Sequence, residues 1–467
     1  MFRSVEIPLW LLLLILAFAA VTFASHFLFP SVRWFFRRRM ERVVAQLNTR
    51  LARPIQPFKL ARRYDMIERL IYDPQVMEAV ADHARSEAVP EAVAFQKARR
   101  YAREIVPSFS ASAYFGFGTR AARWLSQALY RVRLGHFHAR ELAAMDPQAT
   151  VIFVMNHRSN MDYVLVTYLA AERTSLSYAV GEWARLWPLS MLIRSMGAYF
   201  IRRDARNALY RRVLARYVQM ATAAGVTQAV FPEGGLSLDG RVGPPRLGIL
   251  SYILGAETQG RDVIFVPVSI NYDRVLEDRV LVAAGQAGRR RFPVSVWRTL
   301  FYLLRRLWQI LRGTFLRYGY AAVSFGAPLS LNAFRAGRQG DLAAEVAGEL
   351  MARIRALVPV LPVPVLATAL LRHGDMDRPT LEAAFADLVG RLRANGAYVH
   401  VPRGSVGLAV RLAQEHLVLR GVLAAEGEVT RIVAADRPLL DYYAASIEHL
   451  LLPAAAPETE VSALARS

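Results

Sequence analysis

Five short apolar runs constrain the fold of this 467-residue chain more than any other feature. Thr150–Met155, Tyr199–Ile201, Thr227–Phe231, Val263–Ile270 and Tyr320–Phe325 carry no charge and are rich in β-branched or aromatic residues. Continuous apolar runs of this length, bounded by turn residues, read as strands buried on both faces. Between them lie segments with helical spacing, such as Met161–Ala171. Strands alternating with helices predict an α/β fold, a mixed sheet flanked by helices, with the loops at the strand ends forming a crevice.

The flanks are organised differently. Ile7–Phe29 is apolar apart from His26, long enough to cross a bilayer as a tilted helix. Arg33, Arg37, Arg38, Arg39 and Arg42 follow it, and only Arg3 precedes it. The positive-inside rule then places the body of the chain in the cytosol behind a single-pass anchor in the inner membrane, over residues 1–30. A cleaved signal peptide ending near Ala24 is the competing reading. Residues 31–126 read as a charged helical region, with Tyr114–Val132 as a further helix whose Arg120, Arg123 and Arg131 face either lipid headgroups or solvent. Residues 336–453 read as a helical C-terminal domain with a hairpin over Gly421–Val433, and 454–467 as a disordered tail.

Composition matters for what binds. Lys+Arg 59 against Asp+Glu 38 gives a net charge of +21, and Lys59 and Lys97 are the sole lysines. A field of this sign suits an anionic partner, and arginine suits bidentate contacts to phosphate. No nucleic-acid-binding module accompanies the charge. Val296–Leu316 forms a basic amphipathic pattern with Trp297 and Trp308, fitted to a membrane interface or to packing on the domain surface. Cysteine is absent, which excludes disulfides, thiol nucleophiles and cysteine metal sites.

Chemistry concentrates at the strand ends. After Thr150–Met155 comes NHRSNMDY, with His157 on the loop and Asp162 at the start of the next helix. A neutral histidine oriented by a carboxylate can take a proton from a hydroxyl. GAYFIRR puts Arg202 and Arg203 at a second strand end, suited to phosphate or to a solvated surface. FPEGG puts Glu233, Gly234 and Gly235 at a third, where paired glycines allow close backbone approach and Arg241 and Arg246 make the following loop basic.

The ordered set NHRSNMDY, GAYFIRR, FPEGGLSLDGR and IFVPVSINY resembles the glycerolipid acyltransferase superfamily, and the flanking segments from about Lys59 to Pro453 resemble its membrane-bound glycerol-3-phosphate acyltransferases. The resemblance implies an acyltransferase domain over 127–335, with His157 as general base and Asp162 as its orienting group. It implies Arg202 and Arg203 on the acceptor phosphate, Glu233, Gly234 and Gly235 as the core of the third motif, and Pro267 beside the acyl donor. The implied reaction moves a fatty acyl group from acyl-CoA or acyl-carrier protein, as co-substrate and with no cofactor or metal, to the sn-1 hydroxyl of glycerol 3-phosphate at a phospholipid membrane. One departure stands out: members of the family usually carry arginine where this chain has Leu236 and Leu238. Either Arg241 and Arg246 substitute, or the acceptor is another, such as lysophosphatidate or dihydroxyacetone phosphate. A lipid-binding scaffold that has lost catalysis is the reading from a different class.

Overall fold

The computed structural model describes residues 8–16, 38, 42, 44–170, 174–180, 189–202, 207–288, 308–309, 312 and 317–452. Arg203, nearly all of Val296–Leu316, most of Ile7–Phe29 and the segment 454–467 lie outside the described residues. The chain divides into two units, residues 1–55 with 172–174, and residues 56–171 with 175–467. In the first unit residues 9–16 and 44–48 are helical. Among the described residues no helix is long and apolar enough to cross a membrane. All that follows concerns the second unit.

Its centre is a mixed sheet of β1 (Arg131–Phe137), β2 (Thr150–Met155), β3 (Ser177–Val180), β4 (Tyr199–Phe200), β5 (Gln228–Val230), β6 (Val263–Tyr272), β7 (Tyr320–Phe325) and β8 (Leu329–Ser330). The order across the sheet is β1-β7-β6-β2-β5-β3-β4, with β8 beside β6. β2 is parallel to both neighbours, Ile152 aligning with Gln228 on one side and Phe265 on the other. Every residue of β2, β5, β6 and β7 is buried, as the uncharged runs require of strands covered on both faces. The carboxyl ends of β2, β3, β4, β5 and β6 therefore share one edge.

Pro267 shows how closely the pattern is fitted. It lies inside β6, where a missing N–H would ordinarily cost a ladder bond. The antiparallel partner of β6 is β8 at Ile264 and Phe265 and β7 from Val268 onward, so Pro267 falls in the gap between them. Its carbonyl accepts the Gly326 amide at 2.8 Å across that gap.

Two expectations are corrected. The helix expected over Tyr114–Val132 ends at Leu129, is preceded by a π-helical turn over Ser112–Gly118, and gives way to β1 at Arg131. β1 is an edge strand whose Arg131, Arg133 and Leu134 are exposed, so it lacks the continuous uncharged run by which the central strands are recognised. β3 was also not expected, being four residues long.

Helices Arg63–Ile71, Pro74–Ser86 and Glu91–Ile105 pack beside the Ala208–Ala223 helix. Asp73 caps the second of these through Gln75 N at 3.1 Å and also holds Arg216 at 2.7 Å. Lys59 is buried, its Nζ donating to Ser175 O and Leu176 O at 3.0 Å each and to Ser175 Oγ at 3.2 Å. Burial pushes its pKa well below the usual lysine value. The other lysine, Lys97, is half-buried with its Nζ 3.0 Å from His83 Nε2. At the far end the chain forms helices Leu342–Ala356, Pro362–His373, Arg378–Ala394, Val406–Val418 and Arg437–Ala445, and the hairpin of β10 (Leu423–Glu426) and β11 (Val429–Ile432) joined by β9 (Met376–Asp377). These are tied to the sheet by Asp273 at the end of β6, which accepts Val363 N at 2.9 Å and Tyr320 N at 2.8 Å.

Candidate active site

β2 ends at a fixed point because Asn156 substitutes a side-chain amide for strand pairing. Its Oδ1 accepts Ile270 N at 2.8 Å and its Nδ2 donates to Ile270 O at 3.0 Å, so β6 meets an amide where β2 would have continued. The chain then turns off the sheet edge at His157, before the Met161–Ala170 helix begins.

His157 Nδ1 lies 2.9 Å from Asp162 Oδ2. That carboxylate accepts four hydrogen bonds: Oδ2 also takes Arg158 N at 2.7 Å and Ser159 N at 3.0 Å, and Oδ1 takes the Tyr272 hydroxyl at 2.6 Å. Two backbone donors and a phenol use the carboxylate oxygens as acceptors, so the imidazole meets Asp162 Oδ2 as a further donor, with hydrogen on Nδ1. Nε2 then carries the free lone pair, and among the described residues it has no hydrogen-bond partner. The imidazole is 2 % exposed, with its centroid 4.1 Å from the Phe231 ring and 5.4 Å from the Tyr163 ring. The arrangement provides one basic nitrogen, oriented and shielded from bulk water.

Glu233 is brought directly against this loop. Its Oε1 accepts His157 N at 2.9 Å and its Oε2 accepts Gly243 N at 3.0 Å, so it braces the histidine backbone to the loop after β5. Burial pushes its carboxyl up to about 7, against the pull of these two amide donors. Gly234 has φ +68°, and a Cβ there would lie 2.7 Å from Arg246 Cδ. A glycine is needed both for the turn and for the arginine that lies across it. Gly235 follows in the same half-buried turn. Arg246 is exposed, and among the described residues its guanidinium has no carboxylate partner.

The other expected cations are placed elsewhere. Arg202 lies at the end of β4, three strands from β2, or roughly 14 Å across the sheet at ~4.8 Å per strand. Its Nε and Nη2 make a bidentate pair with Glu104 at 2.8 and 2.7 Å, and its guanidinium carbon lies 5.3 Å from the Tyr101 ring centroid and 5.4 Å from that of Tyr210. Arg241 is exposed and pairs with Glu448 at 2.5 Å. Leu236 and Leu238 pack against the hydrophobic core. Pro267 lies within the sheet beside Val154, before the strand ends that carry His157 and Glu233.

Several residues that shape the site were not singled out from sequence. Tyr272 holds Asp162, and Asn156 sets the exit of β2; Asn156 and Tyr272 stand inside the recognised motifs, which is the one signal that pointed to them. Arg158 is 2 % exposed, donates from Nη1 to Gly240 O, and lies 5.1 Å from the Tyr442 ring centroid. Gly240 has φ +84°, and a Cβ there would fall 1.8 Å from Tyr442 O, so the C-terminal helix backs directly onto the loop after β5. Among the described residues no cluster of three or more His, Asp or Glu side chains is spaced to hold a metal ion.

Comparison with known proteins finds similar sequences along most of the chain. Residues 136–271 match the Acyltransferase family model, and residues 300–463 match that of the glycerol-3-phosphate acyltransferase C-terminal region. A glycerol-3-phosphate acyltransferase of Xanthomonas campestris is 29% identical over 445 residues, covering 88% of this chain and 48% of that protein. One from Pseudomonas entomophila is 31% identical over 281 residues, covering 59% of this chain and 32% of that protein. The chain thus spans about half the length, or less, of these curated relatives. The crystal structure of a 1-acyl-sn-glycerophosphate acyltransferase from Thermotoga maritima aligns with a TM-score of 0.31 at 20% identity, covering 56% of this chain and 83% of that one, a likeness too slight to add to the argument. The first match encloses His157, Asp162 and Glu233 and stops one residue short of Tyr272, and the second follows it along the chain, so the sequence carries an acyltransferase domain followed by a glycerol-3-phosphate acyltransferase C-terminal region.

Proposed function

We propose that the chain is an acyltransferase that moves a fatty acyl group from an acyl thioester, acyl-CoA or acyl-carrier protein, to the sn-1 hydroxyl of glycerol 3-phosphate, giving lysophosphatidate at the cytosolic face of a phospholipid membrane. The observation that carries this reading is the buried His157–Asp162 pair with Nε2 left unpartnered. In the reaction the acceptor hydroxyl gives its proton to Nε2 as its oxygen attacks the thioester carbonyl. The tetrahedral intermediate collapses with loss of the thiolate, which takes the proton back from the imidazolium, so the histidine ends unchanged. No covalent acyl-enzyme is needed, in keeping with a chain without cysteine. Asp162, held by four donors, stabilises the imidazolium between the two transfers. The relatives' name supports glycerol 3-phosphate as acceptor, and Arg246 supplies an uncompensated cation beside the Gly234 turn.

A second reading, the same chemistry on a different acceptor, is favoured by Leu236 and Leu238, which place apolar side chains where the family's phosphate arginines are expected. The Ile7–Phe29 segment and its arginine flank support membrane anchoring. The test is release of free thiol from palmitoyl-CoA by the reconstituted chain, with and without glycerol 3-phosphate, beside His157→Ala. Release that requires both acceptor and His157 is expected; acceptor-independent release, or release undiminished in the variant, overturns the reading. Release with lysophosphatidate or dihydroxyacetone phosphate in place of glycerol 3-phosphate selects the second reading.

A further inference from the structure

Glu277 follows β6 and stands at the head of the Asp278–Gln286 helix, where its side chain turns under the His157 loop. Its Oε2 accepts the Ser159 hydroxyl at 2.8 Å, and its Oε1 accepts Asn160 Nδ2 at 3.0 Å and Asn160 N at 3.3 Å. Three donors from consecutive residues thus converge on the carboxylate of half-buried Glu277, whose pKa is raised by desolvation against those same bonds. Ser159 and Asn160 form the stretch between the base and the acid that orients it. Ser159 N is itself a donor to Asp162 Oδ2 at 3.0 Å, and Ser159 Oγ accepts Met161 N at 3.1 Å at the start of the helix that carries Asp162.

The next residue points the opposite way. Asp278 Oδ2 accepts Arg420 Nη2 and the Tyr443 hydroxyl, and Val275 N donates to that hydroxyl at 3.1 Å. One helix start therefore holds the catalytic loop with its first acid and the C-terminal region with its second.

We propose that Glu277 is a positioning residue for acyl transfer, fixing Ser159 and Asn160 so that Asp162 meets His157 Nδ1 in line. The proposal rests on the reading of His157 as the base and extends it to a residue outside the loop, supplied by the chain after β6. A carboxylate suits the task because it accepts from all three donors at once, where an alanine leaves the buried Ser159 hydroxyl and the half-buried Asn160 amides without this partner. Glutamine retains one acceptor oxygen for Asn160, and the Ser159 hydroxyl can reverse its role to accept from the new amide. Glu277 makes no contact with Nε2, so its removal loosens geometry without removing a reacting group. A displacement of about 1 Å at a reacting centre costs on the order of 100-fold in rate.

The test compares the full reconstituted chain with Glu277→Ala and Glu277→Gln. It measures kcat and KM for both substrates, the thermal midpoint, and the low-field proton resonance of the His157 Nδ1–H in histidine-labelled protein. For Glu277→Ala the expected result is a fall in kcat of about 100-fold with each KM within about threefold, and a displaced or lost resonance. Glu277→Gln is expected to recover at least about a tenth of the rate and to restore the resonance. Wild-type kcat and an unshifted resonance in Glu277→Ala overturn the proposal. So does a parallel loss of thermal midpoint in both variants with the resonance unmoved, which marks a packing role. The resonance does not depend on turnover. A wild-type chain without His157-dependent thiol release therefore sinks the proposed function, while the resonance still decides whether Glu277 sets the pair.

Discussion

The proton-transfer side and the cationic side of the same sheet edge are built by different rules. His157 and Asp162 are buried, in contact, and held by hydrogen-bond partners from three segments. The arginines are dispersed, and two of the three described are compensated by carboxylates: Arg202 by Glu104 and Arg241 by Glu448. An oriented base costs little to keep ready, because its hydrogen bonds are satisfied on the protein side. A cluster of bare guanidinium groups would repel one another, so a chain carrying +21 spreads them and pairs them. The His157–Asp162 half is thus complete within the protein, whereas in the proposed reaction the cationic half would be completed by an anionic acceptor.

The sharpest way to break that contrast is Asp162→Asn, which keeps shape and removes the charge that fixes the tautomer. Turnover is expected to fall about 1,000-fold with little change in KM, read by the thiol-release assay. If kcat survives, the pair is structural. On the cationic side, Leu236→Arg with Leu238→Arg is expected to lower the KM for glycerol 3-phosphate about tenfold, since a charge-assisted hydrogen bond contributes about 1.5 to 3 kcal/mol before the cost of lifting two side chains off the core. An unchanged or higher KM would mean that phosphate is not bound at that loop. Glu104→Gln weakens the bidentate pair on Arg202 and should lower the same KM about threefold; a rise would make Arg202 a bridge between the Glu91–Ile105 helix and β4 rather than a ligand for substrate.

The smallest effect concerns Glu233 and pH. Its carboxyl is raised by burial to about 7, and Asp273 is likewise raised by burial to about 7. A carboxyl whose pKa is higher folded than unfolded stabilises the fold fully below its unfolded value near 4.5 and ceases to do so as pH rises through about 7. The apparent melting temperature should therefore fall between about pH 5 and pH 8, and Glu233→Gln should flatten that slope by about a degree or two while Asp273 maintains the rest. A slope identical in the variant would show that Glu233 is not the titrating group.

What the sequence disclosed follows from what kind of force set each feature. β2 and β7 are legible to the residue, because strands buried on both faces admit only uncharged side chains. β1 is not, because an edge strand with exposed Arg131 and Arg133 carries no such constraint. The catalytic pair is local, so its spacing is visible in the chain. Tyr272 and Glu277 reach the loop from 110 or more residues away, and no local pattern records that. Arg202 was legible as a cation at a strand end, but its partner Glu104 lies 98 residues upstream. The leucines of the third motif were legible as a departure; their packing on the core needed the fold.

Under the proposed acyl transfer, Lys59 and Lys97 have a consequence of their own. Thioesters acylate free amines without any enzyme, and an enzyme that concentrates them exposes itself to its own reagent. Here the positive charge is almost wholly guanidinium, which is too weakly nucleophilic to be acylated this way. One lysine is sealed beneath carbonyl oxygens, and the other is half-buried against a histidine. A chain of net charge +21 that transfers acyl groups as proposed would attract anionic donors while presenting little lysine amine on which a stray acyl group can settle.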